Sequence, residues 1–303
     1  ENHIATIPFG PLDMRLGISE KTKVCATCHQ KLLDCPGHTG YIKLVLPIFH
    51  VGYFKHTLTI LQAICKHCSR LLVPNLEFKS KYLNYSRNRV LDISQRETLF
   101  RNIVKECKKV RQCFYCKKEN GTVKKVALKI IHDKYSDKEG ENLEELQESI
   151  EFIKAQRKEL SNIGKTFEEV TPLQALKLFE GIAPDDIELL GINPSISHPK
   201  DLILTHILVP PVCIRPSVQV SEGVTNEDDL TVKLQEIINL NSVMKATIDE
   251  GKPLIKVMEE WEYLQGIITH NLFETSLLRP APQTSPETVV VPVIIQNSLP
   301  WFR

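Results

Sequence analysis

CATCHQKLLDCPGH, residues 25–38, decides how the rest of the chain reads. Cys25 and Cys28 form a C-x2-C pair, and Cys35 and His38 form a C-x2-H pair after a spacer of six residues. Three thiolates and an imidazole suit a closed tetrahedral Zn²⁺ site. Pro36-Gly37 favours the tight turn that aims Cys35 and His38 at one ion. The bland alternative is four buried residues without metal, but paired ligands so close in sequence rarely arise from packing. With four protein ligands and no further functional group beside them, the spacing predicts a structural centre.

Working outward, nine cysteines fall at 25, 28, 35, 65, 68, 107, 113, 116 and 213, and six of them sit in C-x2-C pairs. That pattern argues for metal rather than disulfides and for a reducing compartment, nucleus or cytosol. Cys65, Cys68, Cys113 and Cys116 read as a second zinc site, its pairs separated by 44 residues. In the alternative, each pair is independent or empty. Cys107 lacks a partner at short spacing, and Cys213, beside Pro210-Pro211, reads as a small core residue rather than a ligand.

Total charge is uninformative, with 38 Lys+Arg against 37 Asp+Glu. Locally it is polarised: residues 101–125 hold nine basic and two acidic residues, whereas 136–151 hold one basic and seven acidic. Lys108, Lys109, Arg111, Lys117, Lys118, Lys124 and Lys125 flank the Cys113–Cys116 pair and form a candidate phosphate-binding patch. The competing reading is a solvated surface that neutralises the acidic stretch. No apolar run is long enough to span a bilayer, no signal peptide is present, and no membrane partner is expected. The first residue, Glu1, is read as lying beyond a missing natural start.

Ile42, Leu44 and Leu46 alternate as a strand that Pro47 should stop. A short helix over 56–64 delivers Cys65. Residues 76–112 are charged and helical in character, 124–132 reads as strand or short helix, and the acidic stretch 137–160 as a solvated helix. Thr171-Pro172 and Pro184-Asp185 each open a helix. The apolar run 202–209 reads as irregular structure or edge strand. From 226 the pattern sharpens: Leu230, Leu234, Ile237, Asn241, Met244 and Ile248 keep heptad spacing with one polar position, which should fix register. Asn226 can cap this helix, and Gly251 ends it. Leu254, Val257, Trp261, Leu264 and Ile268 line a second helix, so 226–270 predicts an antiparallel hairpin, with an ordinary core pair as the alternative. Its outward charges include Lys233, Lys245, Lys252 and Lys256. The Pro-rich tail, 271–303, is expected to be disordered.

Six stretches together resemble the N-terminal clamp region of the largest subunit of eukaryotic nuclear RNA polymerases, most closely polymerase III. They are GISEKTKVCATCHQKLLDCPGHTGYIKLVLPIFHVGYF (17–54), ICKHCSRLL (64–72), CFYCKKENGTVKK (113–125), LKIIHDKY (128–135), VPPVCIRPSV (209–218) and NEDDLTVKLQEI (226–237). The resemblance implies a mixed α+β fold, a zinc-stapled polymerase clamp. Its parts would be a clamp core and head over 1–225, the clamp coiled coil over 226–270 and a divergent tail over 271–303. It implies two structural zinc ions, other polymerase subunits, DNA, the DNA–RNA hybrid and initiation factors as partners, nuclear location, and transcripts that are small and untranslated. Lys233, Lys245, Lys252 and Lys256 would face an initiation factor. The family's catalytic loop, NADFDGD, which holds Mg²⁺, does not occur here, and neither do the basic lid and rudder segments. The chain is therefore read as part of a nucleotidyltransferase and non-catalytic alone, with Mg²⁺ confined to the full-length subunit. A free-standing zinc-dependent adaptor for nucleic acid or protein is the alternative. A zinc hydrolase is disfavoured by two closed ligand sets and by the absence of a His-Glu-x-x-His run.

Overall fold

The alternation of Ile42, Leu44 and Leu46 does produce a strand, but a longer one than the proline suggests. In a computed structural model, which describes residues 7–88, 92–133, 167–221 and 224–274, β1 spans Gly40–Phe49. It pairs with β5, Ile203–Val209, in a two-stranded sheet, so the apolar run near 202–209 is a strand. Pro47 does not stop β1, because a strand with an unpaired edge has no need of its missing N–H there. The Pro47 carbonyl instead accepts a hydrogen bond from Trp261 Nε1 at 2.8 Å.

The chain divides into two packing units, and the first joins residues up to 52 with those from 204 onward. Its helices are α6, Asp229–Asp249, and α7, Leu254–Glu274. Thr247 bonds Glu260 and Tyr263 bonds Glu236, so partner positions descend in one helix as they rise in the other and the hairpin is antiparallel. The cap is Asp228, whose carboxylate accepts from the Leu230 N–H at 2.8 Å, rather than Asn226, which ends the short strand β7, Val224–Asn226, paired with β6, Val218–Ser221. Gly251, at φ +65°, closes the turn, where left-handed backbone suits glycine.

Ile237 and Met244 are buried in one core with Val257, Trp261, Leu264 and Ile268, as the heptad spacing predicts, and Leu234 is buried as well. The same core includes Leu44, Ile48, Leu204 and Ile207, so the hairpin packs on the β1–β5 sheet. Each such large side chain taken from water contributes about 1.5–3 kcal/mol. Two seam expectations are corrected. Ile248 is 41% exposed and Leu254 73% exposed, because both sit beside the turn, where the facing helix ends. Asn241 does not set register between helices. Its Oδ1 accepts from the Val45 N–H at 2.8 Å and its Nδ2 donates to the Lys43 carbonyl at 3.0 Å, so it grips β1. Gln265 does the same at Phe49, accepting from its N–H at 2.8 Å and donating to its carbonyl at 2.9 Å. The edge of β1 not used by β5 is thus satisfied by side-chain amides.

The second unit includes the described residues from 53 to 203. Helices α1, Phe54–Ala63, α2, Leu76–Arg87, and α3, Ile93–Cys107, precede a three-stranded sheet of β2, Thr122–Val126, β3, Lys129–Asp133, and β4, Phe167–Glu169. Residues 124–132 therefore form a hairpin, with Val123 opposite His132 and Ala127 at φ +52° in the turn. α4, Pro172–Glu180, opens on a capping box between Thr171 and Gln174, and α5, Pro184–Leu189, also starts on proline. Asp186 on α5 is fully buried, held at 2.6 Å by Lys79 of α2, while Arg87 reaches Asp185 and Glu188, each at 2.9 Å. The acidic stretch 137–160 and residues 275–303 lie outside the described residues.

Candidate metal centres and basic surface

Three C-x2-C stretches adopt one backbone form. In each, the N–H of the residue after the second cysteine donates to the carbonyl of the first: His29 to Cys25 at 2.9 Å, Ser69 to Cys65 at 3.0 Å, and Lys117 to Cys113 at 2.9 Å. The first cysteine's own N–H then donates five residues onward: Cys25 to Gln30, Cys65 to Arg70, and Cys113 to Lys118. To close that loop, His29, Ser69 and Lys117 take left-handed backbone at φ 58°, 58° and 59°. L-residues adopt this region at a penalty of about 1–2 kcal/mol. Three repetitions of a strained turn show a geometry held for its ends, two sulfurs aimed at one point. The Cys35–His38 pair reaches the same aim through Gly37, at φ +80°.

These turns assemble the two predicted quartets. Cys25, Cys28, Cys35 and His38 have their ligand atoms mutually within 4.8 Å, and so do Cys65, Cys68, Cys113 and Cys116. The Cys65–Cys116 and Cys68–Cys113 sulfurs lie 3.6 Å apart, and Cys35 Sγ lies 3.7 Å from His38 Nε2. Sulfurs bound to zinc at 2.3 Å with tetrahedral angles would stand about 3.8 Å apart. The donor sets, spacing and closure all fit Zn²⁺, and neither quartet leaves an open coordination position.

The electrostatics fit as well. Burial pushes the Cys65 thiol up, yet N–H groups of His67 and Cys68 and the Asn120 amide outweigh it and bring the group down to about 7. Burial and the sulfurs beside it push Cys68 up to about 12. Four clustered thiols cannot all ionise without a cation among them, and a bound divalent ion supplies that charge. Asn120 read in sequence as half of a turn signal. Its Nδ2 donates to Cys65 Sγ at 3.3 Å and its Oδ1 accepts from the Lys66 N–H at 2.8 Å, which makes it the side chain that orients a ligand. The Asn-Gly dipeptide four residues after Cys116 was the only available signal.

Cys107 belongs to neither quartet. It is buried, and that burial lifts its thiol to about 12, as suits a packing residue. Cys213 is not the core residue expected: it is exposed, with its sulfur 3.8 Å from the Pro36 carbonyl, and it flanks the first quartet without joining it.

The basic residues gathered by sequence are all exposed, and several have partners. Lys109 pairs with Glu106 at 2.7 Å, Lys124 lies 3.8 Å from Asp133, and Lys125 lies over the Phe54 ring at 5.1 Å. Lys108, Arg111, Lys117 and Lys118 are exposed beside the second quartet. On the hairpin, Lys233 pairs with Glu236 at 3.2 Å and Lys252 with Glu250 at 2.5 Å, whereas Lys245 and Lys256 stand exposed. Surface pairs of this kind contribute about 0–1 kcal/mol and do not remove a side chain from use.

Arg215 is the residue whose importance sequence reading missed. It is fully buried, with Nε donating to the Pro210 carbonyl at 3.0 Å, Nη1 to Thr231 Oγ1 at 3.1 Å and Nη2 to the Pro11 carbonyl. It ties the segment entering the first metal centre to the first turns of α6. A lone arginine among prolines carries no periodic signal, so only packing reveals it.

Two four-residue groups, each able to hold a metal ion, tie separate loops of the chain together. The chain belongs to the RNA polymerase Rpb1, domain 1 family, whose pattern it matches over residues 1–288. Over 265 residues it is 46% identical to DNA-directed RNA polymerase III subunit rpc1 of Dictyostelium discoideum, covering 86% of this chain and 18% of that protein. The Schizosaccharomyces pombe subunit rpc1 is 42% identical over 281 residues, covering 91% of this chain and 20% of the relative. The Homo sapiens subunit RPC1 is 43% identical over 272 residues, covering 88% and 19%. The chain thus spans about a fifth of the length of these relatives. No helix among the described residues is long and apolar enough to cross a membrane.

Proposed function

We propose that this chain is part of the largest subunit of DNA-directed RNA polymerase III and forms its mobile clamp. In this reading it works in the nucleus, bound to other polymerase subunits. It closes over DNA and the DNA–RNA hybrid and docks initiation factors during transcription of small untranslated RNAs. Two zinc ions, held by Cys25, Cys28, Cys35 and His38 and by Cys65, Cys68, Cys113 and Cys116, make its loops rigid. Lys108, Lys109, Arg111, Lys117, Lys118, Lys124 and Lys125 meet phosphates, without reading bases. Lys233, Lys245, Lys252 and Lys256 select the factor by charge.

The observation that carries the reading is the way the hairpin is mounted. Asn241, Trp261 and Gln265 fasten it to β1, while Lys245, Asp249, Lys256 and Glu259 stay exposed on and near the turn. A lever fixed at one face and bare at its end suits docking. Charge reversal at Lys245 and Lys256 in the assembled polymerase should weaken factor recruitment and promoter-specific initiation with zinc content unchanged. Undiminished recruitment would refute docking. Nucleotidyl transfer needs Mg²⁺ held by clustered carboxylates, so the pure chain should incorporate no nucleotide on a template.

A further inference from the structure

The second metal centre carries a cluster that neither ligand geometry nor phosphate binding requires. Phe114 and Tyr115 fill the two positions between Cys113 and Cys116, and their rings meet edge to face with centroids 5.6 Å apart and planes at 90°. Lys117 Nζ lies 4.6 Å from the centroid of Phe114, and Arg70 Cζ lies 5.1 Å from that of Tyr115. Both rings are part-exposed and both cations exposed, and among the described residues neither cation is paired with a carboxylate. The two C-x2-C turns therefore present two part-exposed aromatic rings and two cations, with Lys118 beside them.

We propose that Arg70, Phe114, Tyr115 and Lys117 form a binding site for single-stranded nucleic acid, the rings stacking on bases and the cations holding the adjoining phosphates. A lysine patch alone recognises any phosphate backbone, duplex included. An aromatic pair needs base faces, which a duplex keeps inside its own stack and a single strand offers. The ring pair thus changes the ligand class from nucleic acid in general to unpaired strand. Cations already lying against the rings are placed to reach the phosphates flanking a stacked base. This deepens the proposed clamp reading, and it rests on the same centre without depending on the hairpin.

The test uses the full zinc-loaded chain, a labelled oligothymidylate of roughly 16 nucleotides and a duplex of matching length, with anisotropy read at low and at physiological salt. Phe114→Leu with Tyr115→Leu keeps apolar side chains and removes the π faces. It should weaken oligothymidylate binding ~10-fold and leave both duplex binding and the salt dependence unchanged. Lys117→Gln should reduce the salt slope by about one. Unchanged single-strand affinity, an equal loss on duplex, or competition by polyglutamate as strong as by oligothymidylate would each overturn the proposal. Photocrosslinking of the unaltered chain to iodouracil-containing oligonucleotide decides the matter even if the variant loses zinc: adducts on Phe114 or Tyr115 support the site, and adducts only elsewhere overturn it. Failure of the parent reading shows separately, as duplex binding that survives charge reversal at Lys108, Lys109 and Arg111.

Discussion

Gly37 is the position where one methyl group should do most damage. It sits between Cys35 and His38 at φ +80°, and a Cβ there would meet Cys213 Sγ at 2.6 Å and Pro211 Cβ at 2.7 Å. Real Cβ atoms do not approach so closely, so Gly37→Ala must displace something. Cys213 is exposed and can swing aside, but Pro211 is a ring fixed in the backbone. The left-handed conformation costs an L-residue about 1–2 kcal/mol, and forcing an extra carbon into a filled space costs about 1–3 kcal/mol. Together that is roughly 2–5 kcal/mol directed at the turn that aims Cys35 and His38. Expressed through the first centre, even the lower figure is a loss of zinc affinity of about 30-fold. The assay is chelator competition with elemental analysis: Gly37→Ala should retain one zinc firmly and release the other. Gly251→Ala is the control, because Gly251 has φ +65° with nothing within 4 Å of its added Cβ. It should show the backbone penalty in a melt and no change in zinc. Adding Cys213→Ala to Gly37→Ala should rescue only in part, since Pro211 remains. If Gly37→Ala holds both ions as tightly as the parent chain, the reasoning from close approach is wrong.

Cys28→Ser and Cys116→Ser should each remove one zinc of two by elemental analysis and leave the other centre loaded, because the quartets share no ligand; a variant that loses both would refute independent centres. Arg215→Met should destabilise the chain by about 3 kcal/mol in urea unfolding, since it strands buried acceptors at Pro11, Pro210 and Thr231; a loss below a tenth of that would show the brace to be idle. Burial lowers the His50 imidazole to about 4, while its Nδ1 accepts from the Gly52 N–H at 3.1 Å. The unfolded chain then binds the extra proton, so stability is full above the unfolded value near 6.5 and is lost as pH falls toward 4, by at most ~3 kcal/mol. His50→Phe should flatten that part of the pH–stability curve relative to the parent chain, and an unchanged slope would refute the assignment.

The two Cys and His quartets were legible in the sequence because their information is local. A C-x2-C turn is closed by hydrogen bonds within six residues, so spacing alone places both sulfurs, and two such turns need only meet. The hairpin was legible for a related reason: a heptad on each side of Gly251 and Pro253 specifies a partner next door in the chain. What failed in sequence reading were statements about ends and edges. Ile248 and Leu254 obey the period but lie where the facing helix runs out. Pro47 obeys the rule against proline in paired strands, but among the described residues β1 pairs only with β5, which leaves its other edge without a strand. Asn241 fits the polar seam position, yet its amide serves the backbone at Lys43 and Val45, almost two hundred residues earlier.

Spacing and composition by themselves singled out the eight Cys and His residues that gather in two groups of four, the α-helical hairpin and the concentration of positive charge around Cys113–Cys116. The tertiary structure alone decided the pairing of β1 with β5, the burial of Arg215, the service of Asn120 to Cys65, and the seating of Arg70 on Tyr115. Each of these joins groups far apart in sequence, or turns a side chain toward one of several nearby acceptors. Which contact wins depends on the surfaces left uncovered once the chain has folded back, and no local period records that.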